Sequence, residues 1–382
     1  MRTGEITSRR ASDGAALRCA WRDGRIVALE PARSAPDDAW LAPTLFDPQV
    51  NGYVGIDFQR NDVSAAEMEA SVAGLRRDGC GQILYTLTTR PWDELIANLR
   101  RARAARDGSP ALTRAIVGWH IEGPFLSPVR GFAGAHDPRW MCDATPERLR
   151  ELRAAAGDLP LMLTLAPERE GGIEAVRLAT SLGMVVAIGH SDAPTDVVRA
   201  AVAAGARAFT HLGNGIPQAL DRHDNVVWRV LDGSGLVAGI IPDGIHVSPT
   251  LFRIMHRSGV DAYYTTDAMA AAGMPPGRYR IGALEVDVGA DQVVREPGKP
   301  NFAGSALSPL QGVFRAARML DRPWQECWAR FSDAPRRLMG IAEPLAVGAA
   351  ADFCIVRGRD RAESVEVVID GAVFARHAPA PA

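Results

Sequence analysis

Short apolar runs alternate with amphipathic stretches along the chain from about residue 40 onward. The amphipathic stretches, such as AAEMEASVAGLRR, have the apolar spacing of a helix with one buried face. Most of the apolar runs are too short for helices and are typical of buried strands. Eight of them follow one another: WLAPTLFDPQV, GQILYTLT, AIVGWHIEG, LPLMLTLAPE, MVVAIGHSD, AFTHLGN, GLVAGIIPDG and DAYYTTDAM. The alternation therefore predicts repeated βα units.

Eight βα units in this length of chain favour an α/β fold of the closed (β/α)8, TIM-like type. Strands of a parallel barrel are buried on both faces and therefore appear as continuous apolar runs. An open, doubly wound sheet is the alternative. Neither a Gly-rich dinucleotide fingerprint nor a GxxxxGK[ST] phosphate loop follows any of the runs, which weakens that alternative. We predict a catalytic barrel over residues 43–342.

The two ends of the sequence have a different pattern. ALRCAWRDGRIVALEP and ADFCIVRGRDRAESVEVVIDGAVFARH resemble strands joined by tight turns that contain Asp-Gly or Gly. If these strands pair, residues 1–42 and 343–382 together form a small β-sandwich domain beside the barrel.

Charge and composition narrow the classes of partner. The net charge is -2, so the chain lacks the basic footprint expected for nucleic acid or an anionic membrane surface. It shows neither a signal-peptide stretch nor an apolar run of about 20 residues, and we expect a soluble, cytoplasmic protein. The five cysteines form no CxxC pair and are expected to be free thiols. Lys299 is the single lysine, which argues against a lysine nucleophile or a lysine-derived metal bridge.

Polar side chains follow several predicted strands, and in a barrel such positions converge on one rim. Among them, Glu122, His190 and His211 supply one carboxylate and two imidazoles, the three-ligand pattern of a catalytic metal site with a position left for water. A structural role is the alternative for each histidine taken alone. We predict one divalent ion at these residues; zinc fits the ligands best, and iron, cobalt or manganese can bind the same set.

The remaining polar residues on this rim suggest catalysis or substrate binding. Asp267 follows the last strand and is a candidate general base for a metal-activated water, with a turn or N-cap role as the alternative. His246 is a candidate for orienting a substrate carbonyl or phosphate, or for packing at a helix start. His136 and Arg222 lie on predicted loops, where contact with a ligand and a solvated charge are both open.

Several motifs occur together and in a fixed order: QVNGYVGIDF, HIEGPFLSP, GAHDP, GHSDA, THLGN, DGIHV, TTDAM and FAGSAL. In these motifs the chain resembles the amidohydrolase superfamily and, within it, the N-acetylglucosamine-6-phosphate deacetylases. The resemblance extends from DGRIVALE through the barrel to VVIDG, nearly the whole chain. It implies that Glu122, His190 and His211 bind the metal and that Asp267 is the catalytic acid and base.

The resemblance also implies how the substrate, an N-acetylated amino sugar phosphate, is held. His246 would help to polarise the acetyl carbonyl. Asn214, the backbone of Gly215 and His136 would bind the sugar phosphate. Arg222 resembles the arginine that reaches the phosphate across a dimer interface, so a homodimer is implied.

The chain departs from common patterns in four places. Gln49 and Asn51 stand where many superfamily members have the HxH of a second metal site, and because neutral amides are poor ligands for a transition metal, one metal is expected. The stretch 222–225 reads RHDN instead of Arg-Glu-Pro-Gly, the loop 126–136 is about two residues longer than usual, and THLGNG replaces THLFNAM. The last three changes fall on segments expected to contact the sugar or phosphate.

These departures leave alternatives for the identity of the substrate but do not alter the residues expected to carry out the reaction. The same deacetylase chemistry could act on N-acetylgalactosamine-6-phosphate, on an unphosphorylated N-acetyl sugar or on an N-acyl amino acid. A barrel that binds sugar phosphate as a sensor without hydrolysing it is the alternative from another class of protein.

Overall fold

A barrel of eight parallel strands forms the centre of the protein. The structure, a computed structural model, describes residues 2–281, 284–289, 292–295, 304–359 and 361–378, so Lys299 lies outside the described residues. Strands are numbered in chain order, and those of the barrel are β5 (Leu45–Val50), β8 (Cys80–Thr88), β9 (Ile116–Glu122), β10 (Leu161–Leu165), β11 (Val185–Ile188), β12 (Ala208–Phe209), β13 (Val237–Ile240) and β14 (Ala262–Tyr264). Each pairs in parallel with the next one in this order. The predicted (β/α)8 barrel is confirmed.

Side chains and a single backbone bridge close the barrel between its first and last strands. Val50, at the end of β5, forms a parallel bridge with Ala268. Asp47 is fully buried and accepts hydrogen bonds from the hydroxyls of Thr265, at 2.6 Å, and Thr266, and from the Thr266 N–H at 3.1 Å. Burial raises the pKa of the Asp47 carboxyl to about 6. These contacts fix the backbone at the carboxyl end of β14.

The helices that surround the strands bury one face each against the barrel. The first begins at a capping box, in which Ser64 and Glu67 satisfy each other's backbone N–H groups. The helices are α1 (Ala65–Arg77), α2 (Trp92–Asp107), α3 (Pro110–Ala115), α4 (Pro146–Ala156), α5 (Gly172–Ser181), α6 (Thr195–Ala204), α7 (Val226–Leu231), α8 (Pro249–Arg257), α9 (Pro309–Leu320), α10 (Trp324–Phe331) and α11 (Asp333–Met339). Among the helices of the described ranges, none has both the length and the apolar run needed to cross a bilayer.

The interior of the barrel changes from apolar to polar along the strands. Near the amino ends, apolar side chains pack with α11: Phe46, Leu84, Met162, Ala187, Ala208 and Tyr263. Further along, the His120 ring nitrogen Nε2 lies 2.8 Å from the Thr164 hydroxyl, which lies 2.7 Å from the hydroxyl of Thr210. The interior near the amino ends of the strands is therefore filled with apolar side chains, and these polar side chains lie further toward the carboxyl end.

Strands from both sides of the barrel sequence form one separate seven-stranded sheet. They are β1 (Gly4–Arg10), β2 (Ala16–Arg22), β3 (Arg25–Pro31), β4 (Ala39–Pro43), β18 (Phe353–Arg357), β19 (Ser364–Ile369) and β20 (Ala372–His377). The order is β20-β19-β18-β4-β1-β2-β3, so the two groups of strands join where β4 pairs antiparallel with β18. Arg114 of α3 forms ion pairs with Asp352 and Asp370 and ties this sheet to the barrel. The division at residues 42 and 343 remains our proposal.

Two small sheets complete the described strands. One pairs β6 (Gly52–Tyr53) with β7 (Ile56–Asp57), directly after the first barrel strand. The other contains β15 (Gly277–Ile281), β16 (Leu284–Val288) and β17 (Val294–Arg295), after the last barrel strand. Both therefore lie in segments that follow the carboxyl end of a barrel strand, where loops border the site.

Candidate active site

One carboxylate and two imidazoles meet at the carboxyl end of the barrel. Glu122 is the last residue of β9, and His190 and His211 each lie two residues beyond a strand. The Oε1 atom of Glu122 lies 2.7 Å from Nε2 of His211 and 3.3 Å from Nε2 of His190, and the two nitrogens are 3.2 Å apart. All three residues are at most 5% exposed. Three ligand-type atoms that are distant in sequence thus converge on one buried point.

The orientation of the two imidazoles is fixed by the backbone and by neighbouring groups. Nδ1 of His190 lies 2.8 Å from the carbonyl oxygen of Phe132, so this nitrogen donates and Nε2 carries the lone pair. His190 and His211 have φ angles of +51° and +32°, a left-handed backbone that is uncommon for residues other than glycine. Such strain persists where the surrounding structure holds it, and functional sites are its usual location.

The electrostatics of this cluster suit a cation. Burial opposes ionisation of Glu122, but the facing imidazoles of His190 and His211 hold the pKa of its carboxyl well below the usual range. Burial likewise opposes protonation of His211, but its hydrogen bond to Glu122 raises the pKa of that imidazole. An ionised carboxylate with two Nε2 atoms is a donor set for a divalent metal ion. The cluster therefore suggests a divalent metal.

His136 lies against this cluster. Its Nε2 is 3.7 Å from Oε2 of Glu122, and its ring centroid is 4.5 Å from that of His190. Nδ1 lies 2.8 Å from the hydroxyl of Thr89, and this contact leaves Nε2 facing Glu122. Burial and the neighbouring His190 lower the pKa of His136 to about 3. His136, predicted to help bind the sugar phosphate, thus lies beside Glu122 and His190. Thr89, at the end of an apolar run, was not singled out from the sequence.

Asp267 lies on the same rim, three residues beyond β14, with φ at +50°. Its Oδ1 accepts a hydrogen bond of 2.7 Å from the side-chain amide of Asn51. Burial and the negative charge of Glu122 raise the pKa of the Asp267 carboxyl to about 7. A carboxyl group in this range can both accept and return a proton near neutral pH.

A second carboxylate holds His246 in place. Nδ1 of His246 lies 2.6 Å from Oδ2 of Asp243, and Oδ1 of Asp243 accepts the His246 backbone N–H at 2.9 Å. Asp243 thus fixes both the ring and the turn that carries it. We did not predict Asp243, although its position three residues before the histidine in PDGIHV is a signal for such a turn.

Three of the predicted substrate-binding residues lie on the loop after β12. The Asn214 side chain donates to the carbonyl of His211 at 3.2 Å. Gly215, with φ at +61°, lies so close to His190 that a Cβ atom would be 2.7 Å from its Nδ1. Arg222 is exposed further along the loop. Asn214 and Gly215 therefore contact His211 and His190, the two histidines of the cluster.

We expect Gly215→Ala to weaken metal binding, because the new methyl group must push the His190 ring. Gly259→Ala is the matched control, since Gly259 has φ at +81° and a Cβ atom there would meet no other atom within 4 Å. Both variants should lose about 1–2 kcal/mol of stability from the left-handed backbone. Only Gly215→Ala should lose metal faster to a competing chelator. Equal chelator sensitivity in the two variants would show that steric contact with His190 is unimportant.

Known proteins resemble the chain over most of its length, although no protein-family model matches it. The N-acetylglucosamine-6-phosphate deacetylase of Vibrio furnissii is 31% identical over 335 residues, covering 84% of this chain and 82% of that protein. The N-acetylgalactosamine-6-phosphate deacetylase of Escherichia coli O157:H7 is 30% identical, covering 84% of each. A mutant N-acetyl-D-glucosamine-6-phosphate deacetylase from Mycobacterium smegmatis, solved with N-acetyl-D-glucosamine-6-phosphate, superposes with a TM-score of 0.83 at 29% identity, covering 98% of this chain and 99% of that one.

Proposed function

Since the chain belongs to the N-acetylglucosamine-6-phosphate deacetylase family of the amidohydrolase superfamily, we propose that it hydrolyses N-acetylglucosamine-6-phosphate to glucosamine-6-phosphate and acetate. The observation that carries this proposal is the convergence of Glu122, His190 and His211 on one rim with Asp267. Such a site would bring a metal ion and a proton acceptor together, a combination that can catalyse the hydrolysis of an amide.

Glu122, His190 and His211 are the residues that would hold the metal. A divalent ion at these ligands would supply Lewis acidity at the acetyl carbonyl and lower the pKa of the attacking water. Zinc suits two imidazoles and one carboxylate best, and iron, cobalt and manganese are accepted by the same donors. We propose one ion per subunit, because the positions of a second site carry the neutral amides of Gln49 and Asn51.

Asp267 would carry the proton through the reaction. Its carboxylate accepts a proton from the water as the oxygen attacks the acetyl carbon, which gives a tetrahedral intermediate. The protonated carboxyl then donates to the sugar nitrogen as the C–N bond breaks, so the amine leaves neutral and Asp267 is ionised again. The raised pKa of Asp267 suits both transfers.

Two histidines would act on the acetyl oxygen or the sugar. His246, held by Asp243, would stabilise the negative charge that develops on the acetyl oxygen. His136 would contact the substrate from the opposite loop, since Thr89 directs its Nε2 toward the cluster. Both roles are electrostatic and leave the proton transfer to Asp267.

Arg222 would bind the phosphate of the substrate bound to a second copy of the chain. The turn that carries Arg222 is held by Asp221, whose Oδ1 accepts the N–H groups of His223 and Asp224. Asp224 in turn pairs with Arg229 at 2.7 Å. Arg222 itself makes no ion pair within the described ranges and is exposed, which supports a role toward a phosphate. The homodimer and the cytoplasmic location are proposals that follow from the sequence.

The function is tested by acetate release from metal-reconstituted protein. The panel contains N-acetylglucosamine and N-acetylgalactosamine, each with and without the 6-phosphate, and an N-acyl amino acid. We expect the glucosamine phosphate to have the highest kcat/KM. Preference for the galactosamine phosphate would favour the activity named for the Escherichia coli relative. Binding of sugar phosphate without acetate release under any divalent metal would indicate a sensor.

Arg222→Ala should raise KM for the phosphorylated sugar by about ten- to a hundredfold, the effect of losing a charge-assisted hydrogen bond. The unphosphorylated sugar is the internal control, and its KM should not change. If Arg222 acts across a dimer, mixing Arg222→Ala with Asp267→Asn subunits should restore activity at low substrate concentration, because one site per mixed dimer regains both residues. A mixture no more active than its parts, with subunit exchange verified, would place Arg222 in its own subunit's site.

A further inference from the structure

The two amides that replace a second metal site differ in their surroundings. The Nε2 atom of Gln49, which is 2% exposed, is buried without a hydrogen-bond partner in the part of the chain that the structure describes. The Nδ2 group of Asn51 instead donates to Oδ1 of Asp267 at 2.7 Å. This hydrogen bond from a side chain favours the ionised form of the Asp267 carboxyl. Asn51 therefore forms a direct hydrogen bond with Asp267, the proposed proton acceptor.

The backbone holds Asn51 firmly beside Asp267. The Asn51 N–H donates to the carbonyl of Ala268 at 2.7 Å, and its own carbonyl accepts the N–H of Phe58 at 3.0 Å. The neighbouring Val50 forms the bridge with Ala268 that closes the barrel. The Asn51 amide thus follows the first barrel strand, β5, and the Asp267 carboxylate lies on the segment after the last barrel strand, β14.

The chemistry of the pair fixes which atoms face each other. An ionised carboxylate accepts hydrogen bonds and cannot donate, so the amide must present its NH₂ group to Asp267. The Oδ1 atom of Asn51 is left buried without a partner among the described residues, as expected if the contact with Asp267 determines the orientation. With Oδ1 of Asp267 engaged, Oδ2 is the oxygen left to take a proton.

From these contacts we propose that Asn51 is a positioning residue: its amide anchors Oδ1 of Asp267 so that Oδ2 receives the proton of the attacking water and returns it to the leaving amine. The inference rests on the proposed deacetylase function. Asn51, at a position where many superfamily members have a metal-binding histidine, thereby aligns Asp267. In this role Asn51 itself exchanges no proton.

The first test is a comparison of Asn51→Ala with Gln59→Ala. Gln59 is a partly buried amide that donates to the Thr86 carbonyl at 3.0 Å and accepts from the Thr88 N–H at 3.0 Å, and in the described part of the chain it forms no hydrogen bond with Asp267. We expect Asn51→Ala to lower kcat by about ten- to a hundredfold, as misplacement of a reacting group does, with KM and metal content within about threefold of wild type. Gln59→Ala should keep kcat within about threefold. A normal kcat in Asn51→Ala, or a loss explained by lost metal, would overturn the proposal.

A double-mutant cycle then asks whether Asn51 acts through Asp267. In an Asp267→Asn background, Asn51→Ala should cause no further loss, because no proton acceptor remains to be aligned. An equal loss in both backgrounds would show that Asn51 acts elsewhere. If the background is too slow to measure, Asn51→Asp decides: a second carboxylate cannot donate, so its kcat should fall below that of Asn51→Ala, and an equal or higher kcat would contradict the proposal.

A crystal structure of Asn51→Ala gives a readout that does not need turnover. The Asp267 side chain is expected to leave its wild-type rotamer, and an unchanged rotamer would count against the proposal. If the wild-type protein releases acetate from no sugar of the panel, the proposed function fails while the rotamer still reports on the anchor. If the wild type is active and both the rotamer and kcat of Asn51→Ala are unchanged, only the inference fails.

Discussion

Asp267→Asn is expected to lower kcat by at least about a hundredfold, the lower range of the contribution of a general acid or base. Asparagine has the same shape, and its oxygen can still accept the 2.7 Å hydrogen bond from Asn51, so the side chain should stay in place. It cannot take a proton from water. The proposed metal ligands are untouched, and metal content and KM should remain within about threefold of wild type. Steady-state acetate release and metal analysis of the same preparation measure all three quantities.

A carboxylate at the opposite end of the same strand provides the control. Asp261, directly before β14, is exposed and accepts the N–H of Ala262 at 3.0 Å. Asp261→Asn should turn over at the wild-type rate. Turnover of Asp267→Asn within about tenfold of wild type on the true substrate would make the proton-transfer role untenable.

Glu122→Gln should cost the protein its metal and, with it, measurable turnover. The substitution keeps the volume but removes the negative charge that two imidazoles face, at 2.7 Å from His211 and 3.3 Å from His190. Residues that only support a ligand alter metal affinity by about ten- to a hundredfold, so loss of a ligand's charge should exceed a hundredfold. Chelator competition and metal content after dialysis measure the affinity.

Glu168→Gln is the matched control for this change. Glu168 lies on the same rim and accepts hydrogen bonds from the Ser191 hydroxyl, at 2.7 Å, and the Asp192 N–H, at 2.9 Å. A glutamine there keeps one acceptor, and the variant should retain its metal. Metal retained at wild-type affinity in Glu122→Gln would place the ion elsewhere and refute the proposed ligand set.

The barrel could be predicted from the sequence because each strand is a short apolar run followed by a polar residue. Glu122, His190 and His211 were recognisable for the same reason, since parallel strands bring their carboxyl ends to one rim. This rule predicts which residues lie at the rim but not the distances between their side chains. That the three ligand-type atoms lie within 3.3 Å of one another depends on strand stagger and on left-handed turns, which apolar periodicity does not encode.

The loops were harder to predict, because their paths depend on contacts between distant segments. His136 was predicted to help bind the sugar phosphate, and that prediction did not indicate that the loop after β9 brings it to 3.7 Å from Glu122. The partner of Asn51 was equally hidden: the amide and Asp267 are separated by more than 200 residues and meet only where the barrel closes. No role was predicted for Asp47 in FDPQVN, because its role depends on the hydroxyls of Thr265 and Thr266, at the far end of the barrel sequence.

The pairing of β4 with β18 has a consequence for synthesis on the ribosome. Ala42 and Cys354 are paired residues more than 300 positions apart, so β4 emerges from the exit tunnel long before its antiparallel partner exists. Until then one edge of that nascent sheet has unsatisfied backbone groups, which are a template for aggregation. The growing chain must therefore keep that edge from other polypeptides while the enzyme's catalytic unit is still being translated.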